Sequence, residues 1–237
     1  MNFRNDSFIV DAPGRPLEGL QLNAVMRNVY GWMTMGLLVT AAVALAVSNS
    51  GMLESLGQGI FMVAIFAQLG IVIGLSWAIN RISATTAGML FFVYAAVTGF
   101  TFSIFFLVFS LGSIAAAFFS TAGVFGAMTI YGLTTKTDLT KFSSYFMMGL
   151  FGLIIASIIN IFLGSGPLDF IISIFGVLLF TGLTAWDTQR IAAMAATRKM
   201  KVDSDDTLKF SIMGALTLYL DFINLFIFML RIFGGRD

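Results

Sequence analysis

Two aspartates, Asp187 and Asp221, stand inside successive long apolar stretches of this sequence. A carboxylate near the centre of a membrane-spanning helix costs roughly 2.5–3.5 kcal/mol on insertion scales. An acid in such a place faces a partner, a cavity or an ion path, and two of them on successive segments suggest a pair. Two carboxylates in contact would titrate as a unit, hold one shared proton near neutral pH, and offer oxygen atoms to a hard divalent cation.

Polar neighbours at helical spacing accompany both acids. Arg190 follows Asp187 by three residues and offers a positive charge on the same helix face, and Thr184 precedes it by three. Thr217 and Asn224 flank the second acid at helical spacing, which gives a polar stripe that is predicted to face the interior of a helix bundle. Two simpler interpretations stay open: an interfacial acid that only pairs with Arg190, and a second acid that is purely structural.

The composition is that of a membrane protein. Of the 237 residues, 58% are hydrophobic and 11% are charged, and the mean hydropathy is +0.94. A soluble domain has about 25% charged residues, so we expect an all-α, polytopic membrane protein. The net charge of +1 predicts no binding of nucleic acid. Without Cys or His, thiolate and imidazole chemistry is excluded, so we expect no catalytic residues and no cofactor, and any metal must bind to oxygen.

Seven apolar runs of about 20 residues, the length that crosses a bilayer, follow a polar N-terminal segment. The sequence therefore predicts a cytoplasmic tail over 1–27 and a single seven-helix transmembrane domain over 28–237. In this placement Asp187 lies about one turn from the end of its span, and Asp221 about halfway along the next. The GxxxG pair Gly70 and Gly74 predicts close helix packing in the second span. The predicted spans are 28–48, 59–79, 88–109, 113–133, 145–164, 169–190 and 211–232.

Basic residues gather in alternate connections between the spans. Arg81 follows the second span, Lys136 and Lys141 follow the fourth, and a larger group extends from Arg190 to Lys209. The remaining connections contain acids and no base. Because cytoplasmic loops carry the excess of basic residues, we predict a cytoplasmic N-terminus and, after seven spans, an external C-terminus.

Four segments of the chain resemble one family when they are taken together. They read FVYAAVTGFT at 92–101, TTKTDL at 134–139, GLTAWDTQRI at 182–191 and LYLDFINLF at 218–226. In these segments the chain resembles the Bax inhibitor-1 family, also called the transmembrane Bax inhibitor motif family, in its bacterial branch. The resemblance covers nearly all of residues 28–235.

The resemblance implies a bundle in the bacterial inner membrane, embedded in the lipid bilayer, with the last helix central and wrapped by the other six. It also implies a pH-sensitive calcium leak gated by Asp187 and Asp221, which would bind calcium as the transported ion rather than as a resident cofactor. An arginine at the cytoplasmic end of the second helix is expected to latch one of them, and Arg81 is the best match. The chain departs from some relatives at Gln68, where they carry an acid, and at Trp186, where Tyr is more usual.

Two other functions are compatible with the sequence. Paired aspartates on consecutive spans also suggest an intramembrane aspartyl protease, but Tyr219 stands where that class needs Gly, and no Pro-Ala-Leu motif follows. The third function is a membrane protein that binds and modulates a membrane protease or another membrane partner. Such a protein would use its tail and its 192–209 loop instead of the acids.

Overall fold

The structure, a computed structural model, describes residues 18–55, 58–197 and 204–234. These residues form seven long α-helices, with three one-turn helical segments in their connections (Met52–Ser55, Phe105–Val108 and Leu139–Phe142), so the predicted all-α fold is confirmed. All seven helices are long and apolar enough to cross a membrane. They are α1 (Glu18–Asn49), α2 (Gln58–Ala78), α3 (Ala84–Phe102), α4 (Leu111–Thr134), α5 (Ser143–Leu163), α6 (Gly166–Thr197) and α7 (Asp205–Phe233).

Three helices extend beyond the spans that hydropathy predicts. α1 begins at Glu18, inside the segment predicted to be a tail, and α7 begins at Asp205, six residues before the predicted span. α6 continues past residue 190 to Thr197 through an alanine-rich stretch. A hydropathy scan stops where apolar residues become sparse, whereas a helix continues through good helix formers such as alanine. Residues 198–203 of the predicted basic group lie outside the described residues, as do residues 1–17.

The seventh helix lies at the centre of the bundle, as predicted. In the most apolar window of α7, 72% of the residues are buried, against 39% in α6 and 6% in α5. α7 packs against α6, α1, α4 and α3, whereas α2 packs mainly on α3, and α5 on α6. Four helices therefore surround α7 directly, and α2 and α5 form an outer layer.

Close helix approach at two glycines makes this compact arrangement possible. A Cβ atom built on Gly132 of α4 would lie 2.5 Å from the carbonyl oxygen of Ala185 in α6. A Cβ on Gly99 of α3 would lie equally close to the Thr40 carbonyl of α1. By contrast, nothing lies within 4 Å of such an atom at Gly70 or Gly74, so the predicted packing role of that GxxxG pair is wrong for this chain.

A buried hydrogen bond fixes the rotation of α7 within the bundle. The Tyr219 hydroxyl lies 2.6 Å from the Thr40 hydroxyl, which is also 2.9 Å from the Ala95 carbonyl oxygen. The rings of Phe91 and Tyr94 meet the Tyr219 ring edge-on. Because Tyr219 is fully buried, this contact holds one face of α7 against α1 and α3 and sets where the opposite face points.

Candidate functional site

The first predicted acid is buried well inside α6. Asp187 is 5% exposed, and α6 continues for ten residues beyond it to Thr197. The prediction that Asp187 stands about one turn from its helix end is therefore wrong, because the alanine-rich extension was not counted. Its carboxylate forms an ion pair with Arg190 at 3.6 Å, and the Arg190 guanidinium also lies over the Trp186 ring, 5.2 Å from the centroid.

The second acid lies deep in the central helix. Asp221 is 5% exposed and stands sixteen residues after the first residue of α7, Asp205. Its Oδ2 atom is buried and has no hydrogen-bond partner among the residues that the structure describes. A buried polar atom left without a partner costs about 1–3 kcal/mol.

The packing of α6 on α7 brings the two acids to similar depths. The antiparallel register is set by two close contacts, Ile191 with Gly214 and Gly176 with Phe228. Interpolating between them, Asp187 lies level with residues 217–218 of α7, and Asp221 with residues 183–184 of α6. This offset of about three residues corresponds to roughly 4.5 Å along the helix axes. The two carboxylates are accordingly electrostatic neighbours, although no hydrogen bond between them is found in the described part of the chain.

The three supporting polar residues use their donors within their own helices. Thr184 donates to the Phe180 carbonyl at 2.7 Å, Thr217 to the Met213 carbonyl and Asn224 to the Leu220 carbonyl. Thr184 is fully buried, whereas Thr217 and Asn224 are half-buried. None of these three bonds goes to an acid, so the hydroxyl oxygens of Thr184 and Thr217 and the amide of Asn224 keep further hydrogen-bonding capacity.

An open cavity of about 900 Å³ connects the first acid with the surface at the end of the bundle where α6 and α7 join. Asp187, Arg190 and Thr217 line it, whereas Asp221 lies beyond its inner wall. The sequence analysis missed four further lining residues that are polar. They are Asn80, Ser204, Asp206 and Lys209. Their only sequence signal is their position beside connections, which does not reveal that these connections meet.

Arg81, the predicted latch, does not lie at this cavity. Its two predecessors Ile79 and Asn80 line the cavity, but Arg81 is exposed and its guanidinium lies over the Trp77 ring, 4.7 Å from the centroid. The ion pair of Asp187 is with Arg190. The latch role of Arg81 stays a prediction.

The sequence analysis also missed a buried hydroxyl on the face of α4 that packs against α7. Thr121 of α4 lies between Phe118 and Phe125, whose rings both contact the ring of Phe222, the residue after Asp221. The Thr121 hydroxyl is buried and, among the described residues, has no hydrogen-bond partner. Threonine is common in membrane helices, so spacing alone gives no reason to select this one.

Fold and site together define a polytopic α-helical membrane protein whose central helix carries a buried acid beside a second acid on the neighbouring helix. The chain belongs to the Bax inhibitor-1 family, since the family model "Inhibitor of apoptosis-promoting Bax1" matches residues 22–237.

Curated relatives are similar in sequence to this chain over nearly its whole length. Inner membrane protein YbhL of Escherichia coli K12 is 46% identical, with 98% of this chain and 97% of the relative covered. An uncharacterized protein of Borreliella burgdorferi is 43% identical, and the match covers 96% of this chain and 99% of that protein. An uncharacterized protein of Deinococcus radiodurans is 40% identical, and the match covers 92% of this chain and 93% of that protein. None of these three names is that of an enzyme.

Proposed function

We propose that this protein is a pH-sensitive calcium leak of the bacterial inner membrane, in which Asp187 and Asp221 form the ion-binding and proton-binding step of the path. The observation that carries the proposal is the buried Oδ2 atom of Asp221, which has no partner in the described part of the chain. It lies on α7 beside a second carboxylate, Asp187, which lines an open cavity. A costly, unpaired oxygen in such a place is what a transient cation ligand requires.

The chemistry of the donors fits a passing hard cation. Calcium prefers carboxylate, carbonyl and hydroxyl oxygens, usually six to eight of them. Two neighbouring carboxylates supply the charge, and the free lone pairs of Thr184 and Thr217 lie at similar depth on the facing helices. The described residues contain no cluster of three or more acids, His or Cys, so two carboxylates with water as further ligand would hold the ion weakly enough to release it.

Protons and calcium would compete for the same oxygen atoms. Two carboxylates this close require a counter-charge, which Arg190 provides only for Asp187, at 3.6 Å. When the pair is protonated it no longer needs a cation, and when it is ionised it attracts one. Calcium binding should therefore strengthen as the pH rises, and flux should depend on pH across the physiological range.

Calcium flux into liposomes that contain the purified protein and an internal calcium dye tests the proposal. Asp187→Asn and Asp221→Asn should each flatten the pH dependence of the flux. The matched control is Asp138→Asn, because Asp138 is an exposed acid of the α4–α5 connection that does not line the cavity. Flux equal to that of empty liposomes at every pH would overturn the leak and favour the alternative of a protein that modulates a membrane partner.

The orientation proposed for the chain has its own test. The loop charges predict that the N-terminus is cytoplasmic and that the C-terminus is external. A reporter that is active only in the cytoplasm, fused after Asp237, should therefore give no signal. A strong signal would show that the chain crosses the membrane an even number of times.

A further inference from the structure

A second opening reaches the central helix from the side of the bundle. α1 and α4 both pack against α7 but leave a gap between each other, which the Phe105–Val108 turn closes at one end. The gap is an apolar groove of about 480 Å³. Phe222, Ile223 and Phe226 of α7 form its floor, and the largely exposed Leu45 and Phe119 stand at its rim.

The position of the groove means that its mouth faces lipid. The lining residues belong to the second half of α1 and of α7 and to the first half of the oppositely directed α4. All of them therefore lie in the same half of the bundle, away from the Arg190 end. These parts of the helices are membrane spans, so the medium outside the mouth is hydrocarbon.

The walls offer nothing that would hold water. The one polar side chain in the lining is Thr40. Its hydroxyl already has three neighbours, the carbonyl oxygens of Gly36 at 3.0 Å and Ala95 at 2.9 Å and the Tyr219 hydroxyl at 2.6 Å. A stable buried water needs two to four polar partners, so water is not a suitable occupant of this groove.

The size of the groove selects among apolar occupants. An α-helix with its side chains is about 10–12 Å across, so a groove of 480 Å³ takes no more than a side chain or two of a partner helix. An acyl chain is narrow and flexible, and it is present at high concentration at the mouth. The volume also falls in the range of roughly 300–1,000 Å³ that is typical of ligand pockets.

We propose that the acyl chain of a bilayer phospholipid occupies this groove and contacts Phe222, Ile223 and Phe226 of the central helix. Bound there, the chain fills the space between α1 and α4 and supports α7 one residue beyond Asp221. The proposal rests on the apolar groove and not on calcium flux, so either proposal can fail without the other.

A phospholipid with a diazirine in the middle of one acyl chain tests the proposal in liposomes that contain the full-length protein. Trypsin cleaves after Lys209 and Arg231 and releases residues 210–231 as one peptide, which contains the floor of the groove. After illumination, mass spectrometry should place the lipid label within residues 222–226 of this peptide. Protein without label at these positions, while lipid-exposed residues elsewhere are labelled, would overturn the proposal.

Matched variants show whether the label enters through the groove. Ala41 and Ala42 are both exposed, but only Ala41 lines the groove, so Ala41→Phe should abolish labelling of 222–226 and Ala42→Phe should preserve it. The opposite wall offers a second pair if Ala41→Phe fails to fold: Ala115 lines the groove and the exposed Ala116 does not. Equal labelling within a pair would overturn the proposal.

Discussion

The substitution Asp221→Asn separates a functional acid from a structural one, because the two interpretations predict opposite changes in stability. Asp221 is 5% exposed, and its Oδ2 atom has no hydrogen-bond partner among the described residues. An amide in its place carries no charge and can donate a hydrogen bond to the neighbouring Asp187. If the acid serves ion binding, Asp221→Asn should make the protein more stable while it abolishes the pH response of the leak.

The size of the stability gain follows from the unpaired atom. The substitution replaces a charged, unpaired oxygen by a neutral amide, so the gain is at most the about 1–3 kcal/mol that an unsatisfied buried polar group costs. For a protein of this length, each kcal/mol shifts the melting temperature by about 2–4 °C, so we expect an increase of no more than roughly 12 °C. The gain should be larger where Asp221 is ionised, because only that form carries the charge that the substitution removes, so melting temperatures are compared at pH 5 and at pH 8.

Thermal unfolding in detergent, followed by circular dichroism at the two pH values, measures the effect. Asp138→Asn is the control, because Asp138 accepts hydrogen bonds from the Thr140 amide at 3.0 Å and from the Thr140 hydroxyl. Replacing that satisfied acid should not stabilise the protein. A lower melting temperature for Asp221→Asn, with Asp138→Asn unchanged, would refute the reasoning and identify Asp221 as a structural acid.

Three further predictions concern the surroundings of the site. Arg190→Ala should raise the basal calcium leak in liposomes because it removes the observed partner of the first acid; a rise with Arg81→Ala and none with Arg190→Ala would instead identify Arg81 as the latch. Gly132→Ala should cost about 1–3 kcal/mol of unfolding free energy, because its Cβ, 2.5 Å from a backbone oxygen of α6, forces the helices about 0.9 Å apart to reach an ordinary 3.4 Å contact. Gly123→Ala on the same helix meets nothing within 4 Å and should be neutral or stabilising in the same denaturation experiment; equal losses would contradict the packing argument. The Thr140 hydroxyl and then the Thr140 amide hold the pKa of Asp138 below its usual value. The stabilisation that Asp138 gives to this turn is therefore present above about pH 4 and is lost as the pH falls further. NMR of the amides at 139–141 should show this loss, and no change down to pH 2 would refute it.

Hydropathy and charge predict the architecture of this protein well, because each span must satisfy its backbone internally and bury its acids. Asp187 and Asp221 stand out for that reason alone. Their relative depth could not be predicted, because it depends on the register of α6 against α7. Both helices also extend beyond the predicted spans, α6 by seven residues after Arg190 and α7 by six residues before residue 211.

Other features of the site depend on distances between helices that sequence spacing does not encode. The GxxxG spacing of Gly70 and Gly74 predicts packing where the structure has none, whereas the isolated Gly132 makes the closest approach to α6. The unpaired hydroxyl of Thr121 can be recognised as part of the α4–α7 contact only once the position of Phe222 is known. Spacing shows which side chains share a face, but not which face meets another helix.

The central position of α7 has a consequence for how the protein is made. α1 to α6 leave the ribosome before α7, and at about 5–20 residues per second the first 204 residues take roughly ten to forty seconds to synthesise. During that time the faces of α1, α3, α4 and α6 that later cover α7 have no permanent neighbour. A chain terminated before α7 would lack the helix that these faces pack against, and we expect it to present that surface to membrane quality control.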